Sequence, residues 1–200
     1  MADDIRNGHE EGQTPLDDIS GLLVDVKNRQ ELNDLEFKNN SAAARKYLLK
    51  RLTDRSAPFT YPWVQKIHQE MFGKVWRWAG VPRTSDLNIG VPKEKIGAEI
   101  HKLFYDLRQW ESEKVPPVEI AARLHHRLAF IHPFPNGNGR WARMVADLYL
   151  HKRGLPIVRW PEDQEVFRPR YLKALKAADN GDDEPLLKLH EEYWQEKPGH

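Results

Sequence analysis

The sequence predicts an all-α domain that carries one small β-hairpin. Apolar residues recur at helical spacing in several segments, helix formers dominate most of the chain, and one stretch combines turn residues with β-branched ones. The chain has 200 residues, 40% of them hydrophobic and 10% aromatic, which suffices to bury one core without disulfides. We expect one domain at residues 29–200, preceded by an extended, partly disordered arm at residues 1–28.

The first half of the chain is divided by glycines and prolines. Helix formers between residues 29 and 52 predict one long helix or two short ones. A second helix is predicted at residues 63–72, where Gly73 ends it. Residues 75–92 combine turn residues with β-branched ones, and two prolines bound their second half, so we predict the hairpin there.

Apolar stripes define the helices of the second half. Such a stripe predicts a helix at residues 93–113, and apolar residues at intervals of four predict the next one, which ends near Ile131. The remaining helices are predicted at residues 139–154, 168–179 and 184–195.

Composition excludes several classes of function. Lysine and arginine total 31 against 30 acidic residues, and a net charge of +1 gives no nonspecific attraction to nucleic acid or membranes. There are no cysteines, so disulfides, thiolate metal sites and a cysteine nucleophile are excluded. No stretch approaches the roughly 18 apolar residues of a membrane span. We expect a soluble cytoplasmic protein with no direct role in binding nucleic acid.

One glycine-rich segment between two predicted helices carries the chemistry: His132-Pro-Phe-Pro-Asn-Gly-Asn-Gly-Arg140-Trp-Ala-Arg143. Gly137 and Gly139 allow backbone conformations that present successive N–H groups to an anion. The following helix directs its positive dipole end to the same place. Arg140 and Arg143, three residues apart, share one face of that helix and can bind phosphate oxygens.

Two further side chains complete the predicted site. His132 lies at its other edge, where an imidazole can accept a proton from an attacking hydroxyl group. Asn136 offers an amide oxygen where a metal ion on the phosphates would sit. A single histidine, or two arginines on a helix, is usually structural. Their combination within twelve residues is what indicates a phosphate-binding catalytic site.

This combination resembles the Fic family signature HxFx[D/E]GNGRxxR. Seven fixed positions agree: His132, Phe134, Gly137, Asn138, Gly139, Arg140 and Arg143. The resemblance extends to residues 68–83 and to the predicted C-terminal helices. Together with the Thr14-Pro-Leu-Asp17 opening, the whole is most similar to the subgroup called mobile mystery protein B, over roughly residues 14–195.

The resemblance implies a protein adenylyltransferase that moves AMP from ATP, with Mg²⁺, to a Ser, Thr or Tyr hydroxyl of a target protein. His132 would be the general base, and Asn136 would occupy the metal position. The phosphates would be bound by Gly137, Asn138, Gly139, Arg140 and Arg143. The hairpin would act as a flap that docks the target by strand addition, through Leu87, Asn88, Ile89, Gly90 and Val91.

The chain departs from the family pattern at two points. Asn136 replaces the acidic residue that holds Mg²⁺, and a neutral amide is the weaker ligand. This leaves two alternatives open: transfer of another nucleotide or phosphate-containing group, or a noncatalytic nucleotide-binding module. The internal inhibitor pattern [S/T]xxxE[G/N] is also missing, because Asn7 precedes the single candidate pair, Glu11-Gly12. We therefore expect an antitoxin-like partner protein to restrain the activity.

Overall fold

The computed structural model describes residue 19, residues 21–161 and residues 164–194. Seven α-helices form in this part of the chain, which confirms the all-α prediction. A 3₁₀ turn, Lys93–Lys95, leads into the third helix. The helices are α1 (Arg29–Leu48), α2 (Tyr61–Phe72), α3 (Ile96–Ser112), α4 (Pro117–Ile131), α5 (Asn138–Lys152), α6 (Gln164–Asp179) and α7 (Glu184–Tyr193).

Local signals set most helix ends. Asn28 caps α1, because its side-chain oxygen accepts a hydrogen bond from the Glu31 amide at 2.9 Å. A proline in the first turn opens α2, where the missing N–H has no intrahelical partner to lose, and Gly73 follows its last residue. The segment at residues 29–52, for which the sequence predicts one or two helices, contains one helix, and this helix ends at Leu48.

The predicted β-hairpin is not formed. Residues 83–91 make a loop of bends, and the β-structure of the described residues consists of two isolated bridges, Leu22 with Trp76 and Val158 with Trp194. The Arg83 guanidinium binds the carbonyl groups of Ser85 and Val91, which a hairpin would need for cross-strand pairing. The Arg83 side chain therefore occupies two carbonyl groups that the predicted hairpin would use as hydrogen-bond acceptors.

The core lies around the pair α4 and α5, which residues 132–137 connect. Fully buried side chains from both helices fill it, among them Leu124, Leu128, Trp141 and Leu148. α1 and α2 pack together on this pair, and α6 and α7 form a smaller cluster of their own. This arrangement places the connection between α4 and α5 next to α1 and α6, and all three border one cleft.

The chain ahead of α1 runs along the turn that follows α2. The Leu23 amide donates to the Val75 carbonyl, and the Arg77 amide donates to the Gly21 carbonyl, both at 2.8 Å. Residues 1–18 and 20 of the predicted arm lie outside the described residues. Within the described part, no helix is both long and apolar enough to cross a membrane.

Candidate active site

The connection between α4 and α5 begins and ends in left-handed backbone. His132 follows the last residue of α4 with φ 52° and ψ 58°, and Gly137 precedes α5 with φ 79°. A β-carbon at Gly137 would also lie 2.6 Å from the Phe72 ring, so both the backbone angle and the space require glycine. This tight turn directs the first amide groups of α5 into a cleft.

Asn138 holds the loop closed. Its side-chain oxygen accepts from the Phe134 amide at 2.9 Å, and its side-chain nitrogen donates to the Phe134 carbonyl at 2.8 Å. The side chain is 1% exposed, so it shapes the loop rather than facing a ligand. Any contact of Asn138 with an anion would come from its backbone N–H, which has no partner within the helix.

His68 of α2 supports the loop from below. Its Nδ1 accepts a hydrogen bond from the Gly80 amide at 2.9 Å, which assigns the ring proton to Nε2, and Nε2 donates to the Asn136 carbonyl at 3.0 Å. The ring also stacks on Phe134, with centroids 3.7 Å apart. Burial lowers the pKa of His68 to about 3, so the ring stays neutral and keeps both bonds.

His132 has the tautomer that a general base needs. Its Nδ1 lies 3.2 Å from the Ala129 carbonyl, and because a carbonyl only accepts, Nδ1 carries the proton and Nε2 the lone pair. Burial, with a smaller effect from the Arg83 charge, lowers the pKa of His132 to about 4. The imidazole is therefore neutral at pH 7.

Arg140 is held by a glutamate from α1. Its guanidinium donates to Glu36 at 2.6 Å and lies 4.9 Å above the centre of the Phe72 ring. The second oxygen of Glu36 accepts from the Trp76 indole, also at 2.6 Å, and the Glu36 side chain is 7% exposed. Glu36 therefore fixes one side of Arg140 and compensates part of its charge.

Arg143 has different neighbours. Its guanidinium lies 5.4 Å from the centre of the Tyr171 ring and 6.0 Å from that of Trp160. Within the described part of the chain it has no carboxylate partner. Tyr171 is itself fixed, because its hydroxyl lies 2.9 Å from Nε2 of the buried His125. Among the described residues, Arg143 thus presents its charge to the cleft without a salt bridge, although the charge also acts on the buried Asp147.

These groups border one cleft of about 550 Å³ between α1, α5 and α6. The predicted site residues that line it are His132, Asn136, Gly137, Asn138, Gly139, Arg140 and Arg143. A larger cleft of about 700 Å³ lies between the ends of α1 and α5, and it has none of these residues in its lining. We take the smaller cleft as the candidate site because the convergent cations and helix amides lie there.

The predicted flap residues lie on the other side of His132. Val91 is buried and Leu87 is half-buried, whereas Asn88, Ile89 and Gly90 are exposed. A β-carbon on Gly90 would lie 2.6 Å from the β-carbon of His132, so the flap packs against the side chain of the predicted base. Ile89, 38% exposed, is the large apolar side chain that this loop presents.

The residues of the loop do not form a protein cage for Mg²⁺. The Asn136 side-chain oxygen is neutral and already accepts a hydrogen bond from the Gly137 amide at 2.6 Å. Both oxygens of Glu36, the buried carboxylate of the cleft, are engaged as well. The described residues contain no group of three or more His, Cys, Asp or Glu side chains that could hold a metal ion.

Sequence reasoning missed the residues that support the motif from elsewhere in the chain. Glu36 is one of them, and a signal for it exists: the buried stripe of α1 contains Glu36 and Asn39 among apolar residues. A charged residue on a buried stripe needs a partner, which here is Arg140, 104 positions away. No local pattern identifies that partner.

The fold and the site together define a helical domain built around a glycine-rich loop with a histidine at its edge. Residues 58–150 match the Fic/DOC family. The chain is therefore similar to the Fic/DOC family over this region, which runs from the residues ahead of α2 to the end of the apolar part of α5.

Individual proteins show the same similarity. The protein adenylyltransferase Fic of Nematostella vectensis is 29% identical over 153 residues, which are 73% of this chain and 35% of the relative. The structure of Fic-1 from C. elegans has a TM-score of 0.70 at 25% identity, covering 88% of this chain and 52% of that one. BepC from Bartonella tribocorum, solved with bound AMPPNP, has the same TM-score at 20% identity over 94% of this chain and 96% of that one, which supports the fold.

The chain spans about a third of the length of the curated relatives it matches.

Proposed function

We propose that this protein transfers AMP from ATP to a Ser, Thr or Tyr hydroxyl of a target protein. The observation that carries the proposal is a neutral histidine, His132, at the edge of a cleft where two arginines and a helix N-terminus converge. Relatives named protein adenylyltransferase support the same activity. Residues 132–143 of the family signature provide all three elements.

The chemistry assigns one task to each group. The target hydroxyl oxygen forms a bond with the α-phosphorus, while the bond from that phosphorus to the bridging oxygen of the β-phosphate breaks and pyrophosphate leaves. The hydroxyl proton passes to Nε2 of His132, whose lone pair the Ala129 hydrogen bond assigns. The helix amides with Arg140 and Arg143 bind the phosphate oxygens and stabilise the developing charge. No step assigned here requires Asn136 to bind a metal ion.

The target would lie along residues 87–91. Asn88, Ile89 and Gly90 are exposed beside His132, and Gly90 touches it, so an extended segment bound there would bring a hydroxyl close to the base. The loop is not a strand before binding, and strand addition would order it on the target. The exposed Ile89 side chain would supply an apolar contact.

We further propose that a separate antitoxin-like protein restrains the activity. The resemblance to the mobile mystery protein B subgroup and the missing internal inhibitor pattern both favour such a partner. Co-expression of a neighbouring candidate gene product should then lower AMP transfer, and the pair should co-elute in gel filtration. A candidate that leaves the rate of transfer unchanged at equimolar concentration is not the partner.

The test of function compares two labelled nucleotides. Incubation of the protein and candidate targets with ATP labelled at the α-phosphate should label the target, whereas label at the γ-phosphate should leave as pyrophosphate. His132→Ala should reduce transfer by roughly 10²-fold or more with nucleotide affinity nearly unchanged. His101→Ala, an exposed histidine on α3, is the matched control.

Other outcomes select among the alternatives. Target labelling from γ-labelled ATP alone would mean phosphoryl transfer by the same phosphate site. Tight nucleotide binding without transfer to any target would favour the noncatalytic module. A folded His132→Ala variant with full activity would contradict the assignment of the base.

A further inference from the structure

Arg83 is a buried cation that joins the flap to the predicted base. The residue is 5% exposed, and its guanidinium donates to three backbone carbonyl groups: His132 through Nε at 2.8 Å, Ser85 through Nη1 at 2.9 Å, and Val91 through Nη2. Its nearest carboxylate is Asp86, at 3.5 Å. Three carbonyl dipoles and one exposed carboxylate compensate the charge, and the planar fork reaches all three carbonyls at once.

The backbone of the flap repeats this connection. The Arg83 amide donates to the Pro133 carbonyl at 2.8 Å, and the Val91 amide donates to the Ile131 carbonyl at 3.4 Å. The two ends of the loop are therefore bound to the residues on either side of His132. Gly90, with φ +93°, fits against the His132 side chain where any β-carbon would collide.

His132 needs such support because of its backbone. A left-handed conformation is unfavourable for a residue other than glycine, and the angles of His132 (φ 52°, ψ 58°) lie in that region. The hydrogen bond from Arg83 to the His132 carbonyl fixes the orientation of the peptide group that follows the base. Without it, the ring would lose a constraint on its direction towards the cleft.

We propose that Arg83 is a positioning residue that holds residues 84–91 against His132, so that target docking on the flap and placement of the base are coupled through one guanidinium. The role of this coupling in catalysis rests on the proposed function. The physical connection between the flap and His132 is independent of that function. Displacement of the flap by a target segment then acts directly on the carbonyl group of the base.

The alternative is that Arg83 only stabilises the fold. That role would lower the melting temperature and weaken all activities together. A positioning role would change target docking and leave nucleotide binding intact. The reason is that, under the proposed function, Arg140 and Arg143 bind the nucleotide on the opposite side of the loop from the flap. Nucleotide affinity should then stay unchanged while flap closure, the His132 environment and the KM for the target all change.

The experiment uses Arg83→Lys and Arg83→Gln, with Arg77→Gln, an exposed arginine before the flap, as the matched control. In both Arg83 variants, hydrogen exchange of the Val91 amide should become about tenfold faster or more. The pKa of His132, followed by nuclear magnetic resonance, should rise in Arg83→Gln. In Arg83→Lys it should stay near the wild-type value, because lysine keeps the charge and loses the fork.

Activity provides a second, separate measurement. The Kd for ATP should stay within about twofold of wild type in all three variants, whereas the KM for the target should rise about tenfold in the two Arg83 variants. If wild type transfers nothing, the proposed function fails, and the exchange and pKa measurements still decide the coupling. Unchanged exchange at Val91 in folded Arg83 variants would overturn it.

Should the Arg83 variants fail to fold, Gly90→Ala addresses the same contact with Arg83 intact. The added carbon must displace either the flap or His132, so exchange at Val91 should increase and the His132 resonance should shift. A folded Gly90→Ala protein with wild-type values for both would equally overturn the coupling.

Discussion

Arg140 and Arg143 stand three residues apart on α5, yet their surroundings differ. Arg140 forms an ion pair with the buried Glu36, whereas Arg143 lies against two aromatic rings. Removing Arg140 would therefore do two things at once: weaken the phosphate site and leave a buried carboxylate without its partner, which is strongly destabilising. A simple alanine substitution mixes these effects.

We predict that Arg140→Ala weakens nucleotide binding by about 1.5–3 kcal/mol, the range for hydrogen bonds to charged groups. It should also lower the free energy of unfolding. The double variant Glu36→Gln/Arg140→Ala should recover stability but not affinity, because the neutral amide needs no cation. Calorimetric titration and urea unfolding separate the two. Unchanged affinity in the single variant would contradict the phosphate role.

At Asn136 we predict that Asn136→Asp increases Mg²⁺-dependent AMP transfer. The carboxylate can still accept the Gly137 hydrogen bond, and it adds a charge beside the phosphates, where a cation would bridge. The gain should appear only with metal present, because the new charge repels the phosphates otherwise. Titration of Mg²⁺ against both proteins provides the measurement, and Asn136→Ser is the neutral control. Identical metal dependence would show that residue 136 does not contact a metal ion.

Among the structural elements, the flap is the one that the proposed target docking would reorder. Ile89 lies in its exposed part. We predict that Ile89→Pro damages target modification more than nucleotide binding, because proline removes a backbone donor needed for strand addition. Ile89→Ala, which keeps the donor, controls for loss of the side chain. Equal losses in target modification and ATP affinity would point to misfolding or to a different docking surface.

The helices could be predicted from the sequence because their signals are local. Gly73 and Pro117 mark helix ends within a few residues of where they form, and the apolar stripes identify the buried faces. The absence of the hairpin could not be predicted, because it results from the Arg83 side chain, which binds carbonyl groups of the predicted strands. The β-propensity of a segment does not indicate whether an arginine side chain will bind the carbonyl groups of its own loop.

The candidate site shows the same division between local and distant contacts. The seven motif residues could be identified from the sequence, since they lie within twelve residues of one another. The partners that hold the loop come from 104 positions away for Arg140, 68 for Asn136 and 49 for His132. Each of these contacts depends on tertiary packing of α1, α2 or the flap, which no single segment encodes.

For the whole molecule, buried neutral histidines set the response to acid. Burial lowers the pKa of His68 and His190 to about 3 and that of His132 to about 4. The unfolded chain takes up these protons below about pH 6.5, so each group lowers stability by about 1.4 kcal/mol per pH unit from there down towards its folded pKa. Asp147 opposes them, because burial raises its pKa to about 7 and favours the folded state as pH falls from that value.

Burial also lowers the pKa of His125, and four histidines outweigh one carboxyl group, so we predict that the urea midpoint falls steadily from pH 6.5 to pH 4.5. His190→Gln removes one of the protonation sites and should reduce the slope of stability against pH by about 1.4 kcal/mol per unit. Unfolding curves at intervals of half a pH unit measure that slope. Stability that stays constant from pH 7.5 to pH 4.5 in wild type would show that these histidines are accessible to protons in the folded protein.

The bond from His68 to the carbonyl of Asn136 has a consequence for how this loop can diverge. His68 anchors the loop at position 136 through the main-chain carbonyl, which every amino acid possesses, whereas the Asn136 side chain bonds the adjacent Gly137 amide. Substitutions there can alter charge while the neighbouring glycine turn keeps its shape. Under the proposed function, mutation at position 136 should therefore change metal preference and reaction rate with little loss of architecture. The same change at Asn138, whose side chain closes the loop, would dismantle the turn.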